Sequence, residues 1–238
     1  MEIGEIISDA IRYPLNHTKS LLIYIVVMII IALIAAFTGV GVVAGQGTNN
    51  VLASGIIGII GLLLIFIIGF FITGYGVDII KLGIEKSDAA PEIDIGGQAI
   101  KGLKYIILVF VYFIIPLIIM TLLGYINNTL AVIVGLILLI IFGLALVMGE
   151  GRLADTGSLG HALNIPEAIK DLQNVGIVKT LLVIIIVGIV YFILNLIPGI
   201  FNSLGDIGVI IGAIISAIIS AYLFFFSQRA TGLLYSDA

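Results

Sequence analysis

The sequence contains no cysteine, which excludes disulfide bridges, thiolate catalysis and cysteine-ligated metal sites. Charged residues are also scarce, at 10% of the 238 residues, against about 25% in a typical soluble domain. Hydrophobic residues reach 61%, and the mean hydropathy is +1.34. Because a soluble fold needs a charged surface, this composition predicts a chain whose solvent is lipid. The mild net charge of −4 gives no indication of a nucleic-acid partner.

Long apolar runs make up most of the chain. A helix needs about 20 apolar residues to cross a hydrocarbon core that is about 30 Å thick. Six segments are of this kind: Leu21–Ala44, Val51–Ile72, Tyr105–Leu123, Leu130–Met148, Lys179–Ile197 and Ile207–Phe226. Their apolar character is continuous, which indicates helices, because membrane strands alternate polar and apolar residues. The first run is longer than the roughly 7–15-residue core of a signal peptide, so we expect it to remain as a span.

The basic residues predict how the spans are oriented. All ten lysines and arginines lie before span one, between spans two and three, between spans four and five, or after span six. The three short links on the other side carry one charge, Asp206. Because basic loops stay in the cytoplasm, we expect a single multi-pass domain over residues 1–238, in the cell membrane, with both termini cytoplasmic.

A similar layout recurs three times, in units of about residues 1–88, 89–160 and 161–238. Each unit begins with a polar, amphipathic stretch that leads into two spans joined by a short turn. The first stretch places five apolar residues on one helical face: Ile3, Ile6, Ile7, Ala10 and Ile11. Such helices lie in the membrane interface with the apolar face towards lipid. The predicted fold is therefore an all-α bundle of six transmembrane helices, built from three repeats of an interfacial helix and a helical hairpin.

Several stretches of the sequence resemble a known family. They are EIGEIISDAIRYP (Glu2–Pro14), GYGVDIIK (Gly74–Lys81), PEIDIGGQAIKGLK (Pro91–Lys104), RLADTGSLGHALNIPEAI (Arg152–Ile169) and RATGLLY (Arg229–Tyr235). On these stretches the chain resembles an uncharacterised archaeal membrane family, the domain of unknown function 4013 (DUF4013). The resemblance implies a membrane protein but no activity, because the family has no assigned catalytic residues. Asp78 departs from the family pattern, in which we expect a basic residue at that position.

Ionisable side chains cluster where spans two, four and six leave the membrane. The candidate cytoplasmic-end polar cluster consists of Tyr75, Asp78, Glu150, Arg152 and Arg229. One interpretation is that these are solvated charges that determine the topology. The other is that three equivalent helix ends converge into a polar mouth, in which Arg229 pairs with Asp78 or Glu150. No charge lies deep within a span, which argues against a proton-coupled carrier.

Small residues predict close helix packing in the sixth span. Gly208, Gly212, Ser216 and Ser220 recur at every fourth position. This spacing lets two helix backbones approach each other closely. We expect the face to pack against another helix of the same chain.

No pattern indicates a catalytic, cofactor-binding or metal site. His17 and His161 stand alone, without further ligands at the spacing that a metal requires. The sequence also lacks a nucleophile–base pair, a phosphate-binding loop and a dinucleotide fingerprint. We therefore expect a protein without enzymatic activity or cofactors.

Two functions remain open, with membrane lipids as the expected partners of either. The first is transport or handling of a small or lipidic molecule, suggested by six spans, internal repetition and many intramembrane glycines. The alternative is a non-catalytic scaffold, suggested by short outer links and the absence of buried charge. A membrane enzyme that acts on lipid ranks third. A water-accessible cavity lined by Thr73, Tyr112 or Asn195 would favour the first function, and a solidly packed bundle would favour the second.

Overall fold

The computed structural model describes residues 1–47 and 51–238, and the regular secondary structure of this part of the chain is entirely helical, with no strand. The α-helices are α1 (Ile3–Asn16), α2 (Thr18–Gly47), α3 (Val51–Ile84), α4 (Ile95–Gly124), α5 (Asn128–Thr156), α6 (Leu159–Ala162), α7 (Ile165–Val175), α8 (Ile177–Ile200) and α9 (Gly205–Tyr235). A short 3-10 helix, Phe201–Leu204, joins α8 to α9.

Six of the described helices are long and apolar enough to cross a membrane. The candidate spans are Thr18–Ala44, Leu52–Ile84, Ile95–Gly124, Asn128–Thr156, Ile177–Ile200 and Ile210–Tyr235. This confirms the prediction of six apolar helices and is consistent with a helical membrane bundle. The helices of spans two, four and six continue beyond their apolar runs, to Ile84, Thr156 and Tyr235. These extensions of α3, α5 and α9 carry all five residues of the candidate polar cluster.

Both chain ends lie at the same end of the bundle, which we call the charged end. The Met1 amino group donates to Asp237 Oδ2 at 2.7 Å, and Lys179 Nζ donates to the same oxygen at 2.5 Å. Burial alone would raise the pKa of Asp237, but these two donors outweigh it and hold that pKa below its ordinary value. The opposite end, which we call the far end, carries the turns from α4 to α5 and from α8 to α9.

The buried core lies in the half of the bundle nearest the charged end. Ile80 of α3, Leu108 of α4, Met148 of α5 and Phe226 of α9 are fully buried there. Towards the far end most apolar side chains face outwards, and Phe37 of α2 is 75% exposed. Lipid solvates such side chains as well as a neighbouring helix does, so they need no protein cover. The helices therefore hold together mainly through their charged-end halves.

The two amphipathic helices α1 and α7 pack on the bundle. Ile6 and Ala10 of α1 and Ala168 and Leu172 of α7 are all buried. α1 packs on α9 and α8, and α7 packs on α5 and α8. Protein therefore covers part of each apolar face, whereas Ile11 is 37% exposed, so the expectation that the whole faces rest on lipid is wrong. The two helices close much of the charged end.

The middle unit has no separate amphipathic helix, so the expected interfacial helix is wrong for this unit. α4 runs without a break from Ile95 to Gly124, and most of the polar stretch Pro91–Lys104 forms its first turns. Asp94 caps the helix, because its Oδ1 accepts from the backbone N–H of Gly97 at 3.0 Å. The predicted unit boundary at residue 160 falls inside α6. The threefold repetition stays a prediction.

Candidate functional site at the charged end

The ends of α3, α5 and α9 meet at the charged end through glycine contacts. A Cβ on Gly232 of α9 would overlap the carbonyl oxygen of Ile80 in α3. A Cβ on Gly83 of α3 would in turn lie 2.9 Å from the Cα of Gly232. Gly151 of α5 lies directly against the ring of Tyr235 in α9. The three helix ends therefore converge through backbone and apolar contacts.

Arg229 of α9 is a buried charge whose side chain is only 2% exposed. Its Nε donates to Asp9 Oδ1 at 2.7 Å and its Nη2 donates to Asp9 Oδ2 at 3.3 Å. Its Nη1 donates to the carbonyl oxygens of Ser87 at 2.6 Å and Leu82 at 3.2 Å. The guanidinium also lies 4.7 Å from the centroid of the Tyr13 ring, which is cation–π distance. Arg229 thus joins α9 to α1 and to the end of α3.

The expectation that Arg229 pairs with Asp78 or Glu150 is wrong, because its carboxylate partner is Asp9. Sequence reasoning missed Asp9 because it assigned α1 to the membrane interface, away from the helix ends. The one signal for Asp9 was its place on the polar face of the first amphipathic stretch. Burial raises the pKa of Tyr13 well above its ordinary value, against the opposing effect of Arg229, so this phenol keeps its proton.

Asp78 lies between α3 and α4, where its carboxylate has two side-chain donors. Lys101 Nζ lies 2.5 Å from Asp78 Oδ1, and Gln98 Nε2 donates to Oδ2 at 3.0 Å. Gln98 is fully buried and also donates to the carbonyl oxygen of Glu92 at 2.8 Å. Sequence reasoning singled out neither partner. Their spacing of three residues puts Gln98 and Lys101 on one helical face, which was the available signal.

Glu150 and Arg152 of α5 have separate partners. Glu150 Oε1 accepts a hydrogen bond from the Tyr105 hydroxyl of α4 at 2.7 Å. Arg152 Nη1 pairs with Asp171 Oδ2 of α7 at 2.7 Å. The four charged members of the candidate polar cluster therefore have their side-chain partners on three different helices, Arg229 on α1, Asp78 and Glu150 on α4, and Arg152 on α7, in place of one shared mouth.

The small-residue face of α9 has its own environment. Gly208 and Gly212 are buried, and Ser216 and Ser220 are half-buried. A Cβ on Gly208 would overlap the carbonyl oxygen of Phe201, so Gly208 packs on the 3-10 helix that precedes α9. Packing of the whole face against another span stays a prediction.

Polar side chains inside the spans use their hydrogen bonds locally. Thr73 donates to the carbonyl oxygen of Gly69 at 2.6 Å, and Asn195 donates to that of Tyr191 at 2.8 Å. Tyr112 is 1% exposed, and its hydroxyl donates to a carbonyl oxygen of α6 at 3.0 Å. These three side chains were the expected lining of a water-accessible cavity. Each has a backbone carbonyl as its partner.

A groove runs between α2 and α3 from the charged end into the spans. It is lined by Ser20, Ile23, Tyr24 and Val27 of α2, Phe71 and Tyr75 of α3, and Ile93 of the connection that follows α3. The Tyr24 ring stacks on Phe224 at 4.7 Å between centroids, and Tyr75 lies 5.7 Å from Phe225. These contacts anchor the groove wall to α9. Tyr75, expected in a polar cluster, is thus a groove residue in an aromatic environment.

A family model described as a protein of unknown function (DUF4013) matches residues 59–203, more than half of the chain. The matched region contains Gly74–Lys81, Pro91–Lys104 and Arg152–Ile169, three of the stretches that carried the resemblance. No curated protein and no solved structure matches. The chain therefore belongs to the DUF4013 family of proteins of unknown function.

Proposed function

We propose that this protein holds a lipidic molecule of the bilayer in the α2–α3 groove, without catalysing a reaction. The observation that carries this proposal is the chemistry of the groove lining, which is apolar apart from the hydroxyls of Ser20, Tyr24 and Tyr75. Ligand sites are commonly apolar with a few placed polar groups. Val27 lies about 10 Å further along α2 than Ser20, at 1.5 Å per helical residue. A lipid headgroup would lie near Ser20 and its chain along Val27 and Phe71.

The use of polar groups within the spans supports an apolar ligand over a water-soluble one. A polar solute that crosses a membrane needs protein groups to replace its water. Thr73 and Asn195 bond to their own helices, and Tyr112 bonds to α6. These groups therefore have little capacity left for such a solute, whereas a lipid chain requires none of them.

The proposed setting is the cell membrane, with the charged end and both termini in the cytoplasm. The support is the distribution of all ten lysines and arginines in segments on one side of the spans. The proposed partners are membrane lipids, and we propose no nucleic-acid partner.

The test is native mass spectrometry of the detergent-purified protein with added bilayer lipids. We expect lipid adducts on the wild-type protein. Val27→Trp should fill the groove and weaken lipid retention at least about tenfold, which corresponds to about 1.4 kcal/mol. Val26→Trp is the matched control, because Val26 neighbours Val27, is 55% exposed and does not line the groove. Equal retention by both variants would place the lipid elsewhere, and a wild-type protein without adducts would overturn the proposal.

A structural scaffold is the second candidate, favoured by the ion pairs at the charged end. Five of them are described, and each joins two different segments of the chain: Met1–Asp237, Lys101–Asp78, Arg152–Asp171, Lys179–Asp237 and Arg229–Asp9. A scaffold role predicts a normal function for Val27→Trp in cells and loss of function for variants that loosen these pairs. The lipid role predicts the reverse, a loss of function for Val27→Trp and normal function for variants that loosen these pairs.

A further inference from the structure

We propose that a cleft between the charged ends of α3, α4 and α5 binds the phosphate group of an anionic bilayer lipid. Three lysines line it, Lys81 of α3 and Lys101 and Lys104 of α4, and we call it the lysine cleft. Its volume is about 140 Å³. A water molecule occupies about 30 Å³, so a phosphate group fits with part of its hydration. The lysine cleft shares no lining residue with the α2–α3 groove, and this proposal is independent of the function proposed above.

The lysines of the cleft keep hydrogen-bond donors that the protein does not use, since each ammonium group carries three N–H donors. Lys101 donates to Asp78 Oδ1 at 2.5 Å. Lys104 donates to the carbonyl oxygen of Gly157 at 2.7 Å, which offsets the negative partial charge at the end of α5 that would otherwise repel an anion. The Lys81 ammonium has no ion-pair or hydrogen-bond partner among the described residues. All three side chains therefore have donors left for an anionic ligand.

The charge of the lysine cleft suits a ligand with one negative charge. Asp78 and Asp155 also line it, so three positive and two negative side chains surround the cleft. The excess of one positive charge matches the single negative charge of a lipid phosphodiester. An adjoining cleft, which shares Lys81 and Lys101, carries three further carboxylates. Their repulsion disfavours a ligand of higher negative charge, such as free phosphate at neutral pH.

The outer face of α4 supports a position of the lysine cleft at the level of the lipid headgroups. Ile100 and Leu103, each one position before a lysine of the cleft, are 59% and 46% exposed. Exposed apolar side chains continue along the helix through Ile107 to Phe110, and lipid solvates such a stripe without cost. The lysines thus lie at the charged end of a helix face that lipid covers. Basic pockets between membrane helices at this level bind anionic headgroups.

The first experiment is thermal unfolding of the detergent-purified protein with one phosphate compound added at a time. A ligand that binds the native state raises the melting temperature. We expect phosphatidylglycerol, which carries one net negative charge, to raise it more than phosphatidylcholine, whose headgroup is neutral overall. Inorganic phosphate at equal ionic strength should leave it unchanged. Equal effects of the two lipids would overturn the proposal, and a rise with inorganic phosphate as large as that with phosphatidylglycerol would assign the cleft to free phosphate instead.

The second experiment is native mass spectrometry with equal amounts of the two lipids, read as the ratio of phosphatidylglycerol to phosphatidylcholine adducts. Lys81→Gln should lower this ratio about fivefold, the effect of one lysine beside an anionic lipid. Lys81→Arg keeps the charge and should keep the ratio. Lys170→Gln is the matched control, because Lys170 of α7 is exposed and does not line the cleft. An equal fall in Lys81→Gln and Lys170→Gln would show that the preference follows overall charge, which would contradict the proposed site.

The variant Val27→Trp separates the lysine cleft from the α2–α3 groove. Val27 lines the groove and not the cleft, so phosphatidylglycerol adducts should persist in this variant. Lys81→Gln should in turn keep its phosphatidylcholine adducts. Far-UV circular dichroism confirms that each variant is folded. Loss of all phosphatidylglycerol adducts in Val27→Trp would contradict a second site, whereas their persistence together with the fall in Lys81→Gln would support the cleft even if the groove held no lipid.

Discussion

Single side chains bridge helices that are far apart in the sequence. Arg229 and Asp9 are separated by 220 positions, yet they form a two-pronged ion pair. The pair is asymmetric, because the side chain of Arg229 is 2% exposed and that of Asp9 is 40% exposed. Exposed pairs contribute only about 0–1 kcal/mol, but a buried charge that loses its partner costs about 3–5 kcal/mol. Water can solvate the Asp9 carboxylate but not the guanidinium, so the larger cost arises when Arg229 loses its partner.

A double-mutant cycle tests this pairing at the residue scale. Asp9→Asn and Arg229→Gln should each lower stability in detergent, and their combined effect should differ from the sum by about 1–3 kcal/mol. Arg229→Gln with Asp78→Asn is the control cycle, because Asp78 pairs with Lys101. Those two effects should add to within about 0.5 kcal/mol. Coupling in the control cycle together with additivity in the Asp9 cycle would contradict the assignment of Asp9 as the partner.

Among the helices, α3 occupies the central position and depends on glycine for its closest contacts. A Cβ on Gly74 would overlap the carbonyl oxygen of Gln98, and a Cβ on Gly102 would overlap that of Phe70, so α3 and α4 cross at these residues. Gly83 and Gly232 do the same between α3 and α9. In lipid, helices associate through close van der Waals contact, because apolar surface gains nothing from leaving the bilayer. Such crossings are therefore a main source of cohesion between spans.

Gly232→Ala tests the crossing of α3 and α9. The added methyl group would overlap the backbone of Ile80, and overpacking of this kind costs about 1–3 kcal/mol. Gly69→Ala is the matched control, because a Cβ there meets no atom within 4 Å. In the control, the higher helix propensity of alanine should leave stability unchanged or raise it by up to about 1 kcal/mol. Thermal unfolding in detergent measures both, and equal melting temperatures would show that the crossing does not limit stability.

In the molecule as a whole, the buried core and the ion pairs lie at the same end of the bundle. The described ion pairs, the amphipathic helices α1 and α7 and the buried core all lie in the charged half, while far-end side chains face lipid. A charged end of this kind is stable in water and headgroups but costly in hydrocarbon. The charged end is therefore expected at one surface of the membrane, and the basic residues decide which of the two surfaces that is.

Cysteine labelling tests that sidedness, and the absence of native cysteine keeps the background low. A single cysteine at Asn127 should react with an impermeant thiol reagent on intact cells, because the far end is expected outside. Asn202 should behave likewise, as should Asn49, which lies outside the described residues. Cysteines at Lys86 and Lys170 should react only after permeabilisation. Labelling of Lys86→Cys from outside would reverse the predicted orientation.

The sequence by itself determined the number of spans, the helical class and the amphipathic character of α1 and α7. These are local properties, since about 20 apolar residues and a helical period are visible in one segment at a time. It also located Asp78, Glu150, Arg152 and Arg229 at helix ends. Only the tertiary structure decided their partners, because Asp9, Lys101, Tyr105 and Asp171 belong to other helices.

The apolar faces of α1 and α7 were likewise visible in the sequence, but what covers them was not. Lipid and a helix bundle are both apolar, so an amphipathic stripe has the same pattern whether it rests on one or the other. The close helix crossings at Gly74, Gly83 and Gly232 were not visible in the sequence either. A glycine allows a neighbour to approach, and only the path of the neighbouring helix determines which glycines are used.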